Sequence, residues 1–127
     1  MKTIMIVDDE EMILMLTEGI LSNSYNTVRA SSGQEAVRMY EFYKPDLILS
    51  DLLMPEMTGI EMYEEMKKKY GRNIPIIFMT ASEAEEAELQ TMTSGALDFI
   101  RKPLKADALI RSINGIFERL DKMRSMF

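Results

Sequence analysis

The sequence of 127 residues contains no histidine and no cysteine. Without imidazole or thiol groups, the chain has no histidine base, no thiolate nucleophile and no zinc, haem or iron-sulfur ligands built on those groups. It also lacks an apolar run near the roughly 20 residues that a membrane-spanning helix needs. Oxygen atoms and amines are the groups left for chemistry, and we expect no membrane association.

The charge and length of the chain further restrict the class of protein to which it belongs. The chain has 15 Lys and Arg against 21 Asp and Glu, a formal net charge of −6. Because contacts with nucleic-acid phosphates depend on Lys and Arg, this balance argues against direct nucleic-acid binding. The length and the 46% apolar content predict one globular domain over residues 1–127. The first residues lead straight into a strand-like run rather than a signal peptide, so we expect a cytoplasmic protein.

Short apolar runs alternate with segments of helical period. The predicted strands cover residues 3–7, 26–30, 47–49, 74–79 and 96–100. The predicted helices cover residues 12–20, 33–43, 61–69, 83–93 and 104–127, with Gly95 as a cap after the fourth. Five strands, each followed by a helix, predict a single parallel, doubly wound sheet with helices on both faces. Inward-facing methionines are expected to fill the core at Met5, Met62, Met66 and Met79.

Polar residues follow four of the predicted strands, at the sheet edge where such folds bind ligands. Asp8 and Asp9 follow the first strand, Asp51 the third, Thr80 the fourth and Lys102 the fifth. Three clustered carboxylates repel one another unless a cation intervenes, and Mg²⁺ is the simplest choice. Lys102 and Thr80 would then face an anion beside the metal, such as a phosphoryl group. Asp51 is the natural nucleophile, forming an aspartyl-phosphate.

Simpler interpretations exist for several of these residues. Asp8 and Asp9 could cap the first helix, and Asp51 could belong to a turn that ends at Pro55. Phe99, in a strand, could be a plain core residue. A run of four acidic residues on the predicted fourth helix is expected to be a solvent-exposed face: Glu83, Glu85, Glu86 and Glu88.

Short motifs at these strand ends resemble those of one known family. They are IVDDE at 6–10, DLLMP at 51–55, TG at 58–59, MTA at 79–81, GAxDF at 95–99 and KP at 102–103. Each motif is weak alone, but together, in this order and spacing, they are specific. The chain resembles, over nearly its whole length, the receiver domains of two-component response regulators. The resemblance implies a flavodoxin-like (βα)5 domain with a five-stranded parallel sheet of order 2-1-3-4-5.

The resemblance also assigns a metal site. It makes Asp51 the phosphoacceptor and Asp9 and Asp51 direct Mg²⁺ ligands. Asp8 would bind the ion through water, and the backbone carbonyl of Leu53 would be a further ligand. A domain of this kind would not be a conventional enzyme, although it assists its own phosphorylation and dephosphorylation.

The same resemblance implies a switch and its partners. Thr80 and Lys102 would contact the phosphoryl oxygens, Ala81 would leave room for them, and Phe99 would be the aromatic switch residue. The Lys102-Pro103 bond is expected to be cis. Because the chain has no histidine, its phosphate must come from a sensor histidine kinase, a histidine phosphotransfer protein or a small donor. The fourth helix, fifth strand and fifth helix would form the face that a downstream effector reads.

Three other functions share parts of this pattern. A flavodoxin-like FMN binder needs a hydroxyl- and glycine-rich loop after the first strand, whereas the acidic loop here would repel the FMN phosphate. A haloacid-dehalogenase-type phosphatase needs a second Asp two residues after the first, where this chain has Leu53. A pseudo-receiver, an interaction module that takes no phosphate, stays open as the alternative.

The last predicted helix carries a heptad pattern. Apolar residues recur at intervals of four and three, at Leu109, Ile113, Ile116, Leu120, Met123 and Phe127. A helix over residues 106–127 would be about 33 Å long, well beyond a strand of roughly 17–20 Å. We therefore expect Leu120, Met123 and Phe127 to be exposed unless they fold back, dimerise or lead into another domain.

Overall fold

The computed structural model describes residues 1–71, 73–92 and 95–126. Within these ranges, five strands alternate with five helices. The strands are β1 (Thr3–Val7), β2 (Asn26–Ala30), β3 (Leu47–Asp51), β4 (Ile76–Thr80) and β5 (Asp98–Arg101). The helices are α1 (Glu11–Leu21), α2 (Gly33–Tyr43), α3 (Gly59–Tyr70), α4 (Glu83–Met92) and α5 (Ala106–Ser125).

The strands form one parallel sheet in the order β2-β1-β3-β4-β5, which confirms the predicted fold and strand order. The order reverses between β1 and β3, so the residues that follow these two strands lie at the point where such sheets bind ligands. In the register, Asp51 pairs with Met79 and Thr80 pairs with Arg101. The carboxyl ends of β1, β3, β4 and β5 therefore meet at one edge.

Alternate residues of each central strand face opposite layers of the core, as a pleated strand requires. Met5 and Val7 pack in one layer, while Ile4 and Ile6 pack in the other. Helices α2 and α3 cover the first layer, chiefly through Ala36, Val37, Tyr40, Met62, Tyr63 and Met66. Helices α1 and α5 cover the second, through Leu14, Leu21, Leu109, Ile113, Ile116 and Phe117. The four methionines predicted in the core are fully buried.

Several element boundaries differ from the predictions for identifiable reasons. Helix α3 begins two residues earlier than expected because Thr58 and Glu61 form a capping box. Strand β4 begins at Ile76 because Pro75 has no N–H for the ladder, although its carbonyl accepts a hydrogen bond from Ile48. Strand β5 and helix α5 each begin two residues later than predicted.

The predicted cap after α4 is not supported. Gly95 has a φ of 140°, unlike the left-handed helical conformation of a capping glycine. The last predicted residue of this helix, Thr93, lies outside the described residues.

Helix α1 is present, but two apolar residues of the predicted segment lie outside its buried side. Met12 is 77% exposed and Leu16 is 51% exposed, whereas Leu14, Thr17 and Leu21 face the core. Thr17 is accommodated there because its hydroxyl donates to the backbone carbonyl of Ile13 at 2.7 Å. Helical spacing predicted the element correctly and did not predict which side of it meets the sheet.

Helix α5 is long and its last turns are exposed, in agreement with most of the prediction. Met123 is 58% exposed and Met126 is 77% exposed. Leu120 is different, since it is half-buried and packs against the layer under α1 and α5. Its predicted exposure is therefore wrong, and the prediction for Phe127 lies outside the described residues. Among the described residues, no helix is both long and apolar enough to span a bilayer.

Candidate functional site

Three carboxylates meet where β1 and β3 end. Asp8 and Asp9 directly follow β1, and Asp51 is the last residue of β3. One carboxylate oxygen from each lies within 4.8 Å of the others. Asp8 is fully buried, the Asp51 side chain is 13% exposed and Asp9 is exposed. The cluster is therefore open to solvent on the Asp9 side and closed on the Asp8 side.

Lys102 enters the cluster from the loop after β5. Its ammonium nitrogen lies 3.1 Å from Asp8 Oδ2 and 3.2 Å from Asp51 Oδ1. Backbone N–H groups complete the pattern, with Glu10 donating to Asp8 Oδ1 and Leu52 donating to Asp51 Oδ1. Four of the five residues predicted at this edge are thus brought together, from three separate strands.

The capping interpretation does not account for Asp8. The N-cap of α1 is Glu10, whose side chain makes no capping hydrogen bond. Asp8 lies two residues earlier, is completely buried and is paired with Lys102. A buried carboxylate held against an ammonium is a costly arrangement, which is more typical of a functional site than of a helix end.

The electrostatics of the cluster favour an additional cation. Burial, reinforced by the charge on Asp8, raises the pKa of Asp51 to about 6, against the opposing effects of Lys102 and the Leu52 N–H. Burial disfavours the charged form of Lys102, but the attraction of Asp51 and Asp8 outweighs it and raises the pKa of this ammonium. One ammonium faces three carboxylates, so an excess of negative charge remains.

The donor set fits a hard divalent cation. Carboxylate oxygens are the ligands that Mg²⁺ prefers, and the exposed side at Asp9 leaves room for the water molecules that this ion retains. Leu53 lies two residues beyond Asp51, with its side chain 63% exposed. The role of its carbonyl as a metal ligand stays a prediction.

Gly59 lies close to the backbone of Asp51. It is the first residue of α3, and its N–H donates to the Leu52 carbonyl at 2.7 Å. A Cβ at this position would overlap the backbone carbonyl oxygen of Asp51 and lie 3.1 Å from the Phe78 ring. The sequence analysis identified this glycine only as part of a loop motif. Its close contact with the Asp51 backbone could not be predicted, because such a contact produces no recognisable pattern in a single sequence.

Gly59→Ala is expected to destabilise the protein by about 2 kcal/mol, because the methyl group forces the end of β3 away from α3. Gly115→Ala is the matched control, since a Cβ there meets nothing within 4 Å in the middle of α5. That variant should gain roughly 0.5–1 kcal/mol from helix propensity. Urea unfolding of both variants tests the pair, and equal effects of the same sign would contradict the proposed contact.

Thr80 lies at the same edge, where its contact with a phosphoryl oxygen stays a prediction. It is 1% exposed, and its hydroxyl donates to Glu86 Oε1 of α4 at 3.0 Å rather than to the carboxylates. The sequence interpretation missed Glu86, since it treated the acidic run as a solvent-exposed face. Ser82 and Glu85 organise the start of this helix: Ser82 Oγ accepts the N–H of Glu85, and Glu85 accepts that of Ala81.

Phe99 lies in β5, opposite Phe78 in the register. It is half-buried and packs against the core layer under α2 and α3. This position is compatible both with a core role and with the predicted switch, which stays a prediction. The Lys102-Pro103 peptide bond is cis, as predicted.

The doubly wound fold with an acidic cluster at its strand ends defines the class of protein, and comparison with known proteins identifies the family. Residues 4–114 match the family model of the response regulator receiver domain. The chain therefore belongs to the receiver domains of two-component systems, which confirms the resemblance seen in the sequence. Members of this family are signalling domains that interact with histidine kinases and effectors.

Individual relatives support the same conclusion. The chemotaxis protein CheY of Thermotoga maritima is 32% identical over 117 residues, covering 91% of this chain and 97% of that protein. The transcriptional regulatory protein PhoP of Bacillus subtilis is 34% identical over 119 residues, covering 93% of this chain and 49% of that protein. The crystal structure of a receiver domain protein from Clostridium thermocellum superposes with a TM-score of 0.84 at 26% identity, covering 97% and 99% of the two chains.

The share of each relative's length that this chain covers varies widely. The chain spans about half of PhoP, 26% of the regulatory protein AtoC of Escherichia coli and 9% of histidine kinase P4 of Formosa agariphila. Receiver domains thus occur both alone, as in CheY, and as parts of much longer proteins. The family assignment applies to the domain that residues 4–114 form.

Proposed function

We propose that this domain is a phosphoacceptor switch that receives a phosphoryl group on Asp51. The observation that carries the proposal is that the Lys102 ammonium lies 3.1 Å from the buried Asp8 carboxylate and 3.2 Å from the Asp51 carboxylate. The exposed carboxylate of Asp9 completes an acidic pocket. An interaction module without phosphorylation has no need for this costly arrangement of buried charges.

The donor would be a sensor histidine kinase or a histidine phosphotransfer protein. An oxygen of the ionised Asp51 carboxylate attacks the phosphorus atom of phosphohistidine, and the new P–O bond forms as the P–N bond breaks. The bonding electron pair returns to the imidazole, which takes up a proton. Lys102 supports this step by placing a positive charge beside the carboxylate that receives the phosphoryl group.

Mg²⁺ would be held by Asp8, Asp9 and Asp51 together with the Leu53 carbonyl, where it would neutralise charge on the phosphoryl oxygens. Thr80 would donate its hydroxyl to one of these oxygens after leaving Glu86. Phe99 would respond to that movement, so that the surface formed by α4, β5 and α5 changes for a downstream effector. The proposal includes a cytoplasmic location and no direct binding to nucleic acid or to a membrane.

The receiver domain is proposed to occupy residues 1–127, with α5 extended beyond the sheet. The exposed Met123 and Met126 at the end of this helix suit contact with a second copy of the chain or with a following segment. Sedimentation at several protein concentrations distinguishes a dimer from a monomer.

The direct test of the switch is phosphorylation by acetyl phosphate, followed by mass spectrometry of the intact protein. With Mg²⁺ present, the chain should gain the mass of one phosphoryl group. With the metal removed by a chelator, the gain should fall by at least about tenfold, because uncompensated carboxylates repel the donor. A chain that gains no mass with Mg²⁺ would be a pseudo-receiver, and an equal gain without metal would remove the proposed metal role.

A further inference from the structure

A carboxylate outside the proposed metal site joins two strand ends. Glu86 of α4 accepts the Thr80 hydroxyl at Oε1, at 3.0 Å, and its Oε2 lies 3.1 Å from a guanidinium nitrogen of Arg101. Thr80 and Arg101 are the last residues of β4 and β5 and are direct partners in the sheet register. Glu86 therefore links α4 to the strand ends next to the phosphoacceptor.

The Thr80 hydroxyl has two potential hydrogen-bond acceptors. A threonine hydroxyl has a single proton to donate. In this structure the proton is used by the Glu86 carboxylate, in a charge-assisted hydrogen bond at a residue that is 1% exposed. A phosphoryl oxygen on Asp51 would need the same proton. The two acceptors therefore compete for one donor.

Arg101 fixes the carboxylate of Glu86 in this position, and the exposed neighbour Glu83 provides an internal comparison. Glu83 also faces Arg101, at 3.6 Å, but its side chain is 85% exposed, against 25% for Glu86. Among the described contacts, only Glu86 accepts the Thr80 hydroxyl. Changes at Glu83 therefore alter the charge near Arg101 without releasing Thr80.

We propose that Glu86 is a positioning residue that holds the Thr80 hydroxyl away from Asp51 in the resting state and yields it to the phosphoryl group. This inference rests on the proposed function of Asp51. When Thr80 moves, Glu86 loses its contact with β4 and keeps the one with Arg101 on β5. The Glu86 carboxylate thus restrains Thr80 in the resting state. When a phosphoryl group binds at Asp51, the changed contacts of Glu86 alter the surface formed by α4 and β5.

The test uses beryllofluoride, a mimic of the phosphoryl group, with Mg²⁺ and the full chain. Its dissociation constant is measured by fluorine NMR for the wild type, Glu86→Ala and Glu83→Ala. Glu86→Ala should bind the mimic about tenfold more tightly, because no hydrogen bond to a carboxylate has to be broken. Glu83→Ala should remain within about twofold of the wild type.

A double-mutant cycle separates this role from a general effect on α4. In a Thr80→Val background no hydroxyl is left to compete for, so Glu86→Ala should no longer change the dissociation constant. Glu86→Gln provides a second variant of nearly unchanged shape. Its amide oxygen still accepts the Thr80 hydroxyl but carries no charge, so its affinity should lie between those of the wild type and Glu86→Ala.

Two results would overturn the inference: affinity unchanged or weaker in both Glu86 variants, or the same gain with and without the Thr80 hydroxyl. Failure of the proposed function has a different signature, since the wild type itself would then not bind beryllofluoride with Mg²⁺. Thermal unfolding of each variant identifies any that fails to fold, and Glu86→Gln then carries the test.

Discussion

Asp51→Asn is expected to take no phosphoryl group from acetyl phosphate, because a neutral amide oxygen is too weak a nucleophile to replace the carboxylate. Asp107→Asn is the matched control, since it removes one exposed carboxylate from the first turn of α5 that is not part of the acidic cluster. This control should gain phosphoryl mass as the wild type does. An unchanged mass gain in Asp51→Asn would mean that another residue is the acceptor.

The same substitution should also change stability in a pH-dependent way. Burial raises the folded-state pKa of Asp51 to about 6, above its ordinary value of 3.8, so folding favours the protonated form. The resulting stabilisation is fully present below the ordinary pKa and is lost as the pH rises through about 6. Above that pH, the metal-free wild type buries an unfavourable charge that Asp51→Asn lacks.

We therefore expect Asp51→Asn to be more stable than the wild type by about 1 kcal/mol above pH 6 in the presence of a chelator, a value reduced for partial solvent screening. Near pH 4 the advantage should disappear, since the wild-type carboxyl is then neutral in the folded state. Thermal unfolding across this pH range measures the difference. A variant that is less stable than the wild type at every pH would contradict the electrostatic description of the pocket.

Lys102→Met should have the largest effect on stability. Methionine keeps the apolar stem and removes the ammonium, which leaves the fully buried Asp8 without its cation. Removing one partner of a buried ion pair destabilises the folded state. Because the Lys102 side chain is 20% exposed, we expect the free energy of unfolding without metal to fall by about 2–3 kcal/mol. Urea unfolding in the presence of a chelator measures it.

Lys105 offers a matched control three residues further along the chain, exposed before the first turn of α5. Lys105→Met should remain within about 0.5 kcal/mol of the wild type. Addition of Mg²⁺ should stabilise Lys102→Met more than the wild type, because the ion neutralises the same carboxylates in the folded state alone. Equal losses in the two lysine variants, or no added benefit from Mg²⁺, would contradict the assigned role of Lys102.

Much of the fold can be predicted from the sequence because its central strands are continuous apolar runs. Ile4 to Val7 are fully buried on both faces of the sheet, and such runs differ clearly from the periodic helices between them. The strand order is not contained in that periodicity, and it followed from the motif resemblance. The buried side of α1 was not predictable either, since Met12 and Leu16 are apolar and exposed whereas Thr17 is polar and buried.

Some residues of the proposed site could also be predicted from the sequence, and others could not. The positions of Asp8, Asp9, Asp51 and Lys102 follow from a general rule, because residues after parallel strands gather at one edge of the sheet. Gly59 and Glu86 escaped prediction because their roles depend on three-dimensional contacts, one with a backbone oxygen and one with a hydroxyl. A single acidic residue within an acidic run gives no signal that distinguishes it from its neighbours.

The central claim is that Asp51, among three neighbouring carboxylates, carries the phosphoryl group. Borohydride reduces an acyl phosphate to an alcohol, so brief treatment of the chain with acetyl phosphate and Mg²⁺, then reduction and peptide mapping, marks the acceptor. We predict conversion of Asp51 to homoserine, with Asp8 and Asp9 unchanged. Conversion at either of the other two aspartates, or reduction of none, would contradict the account.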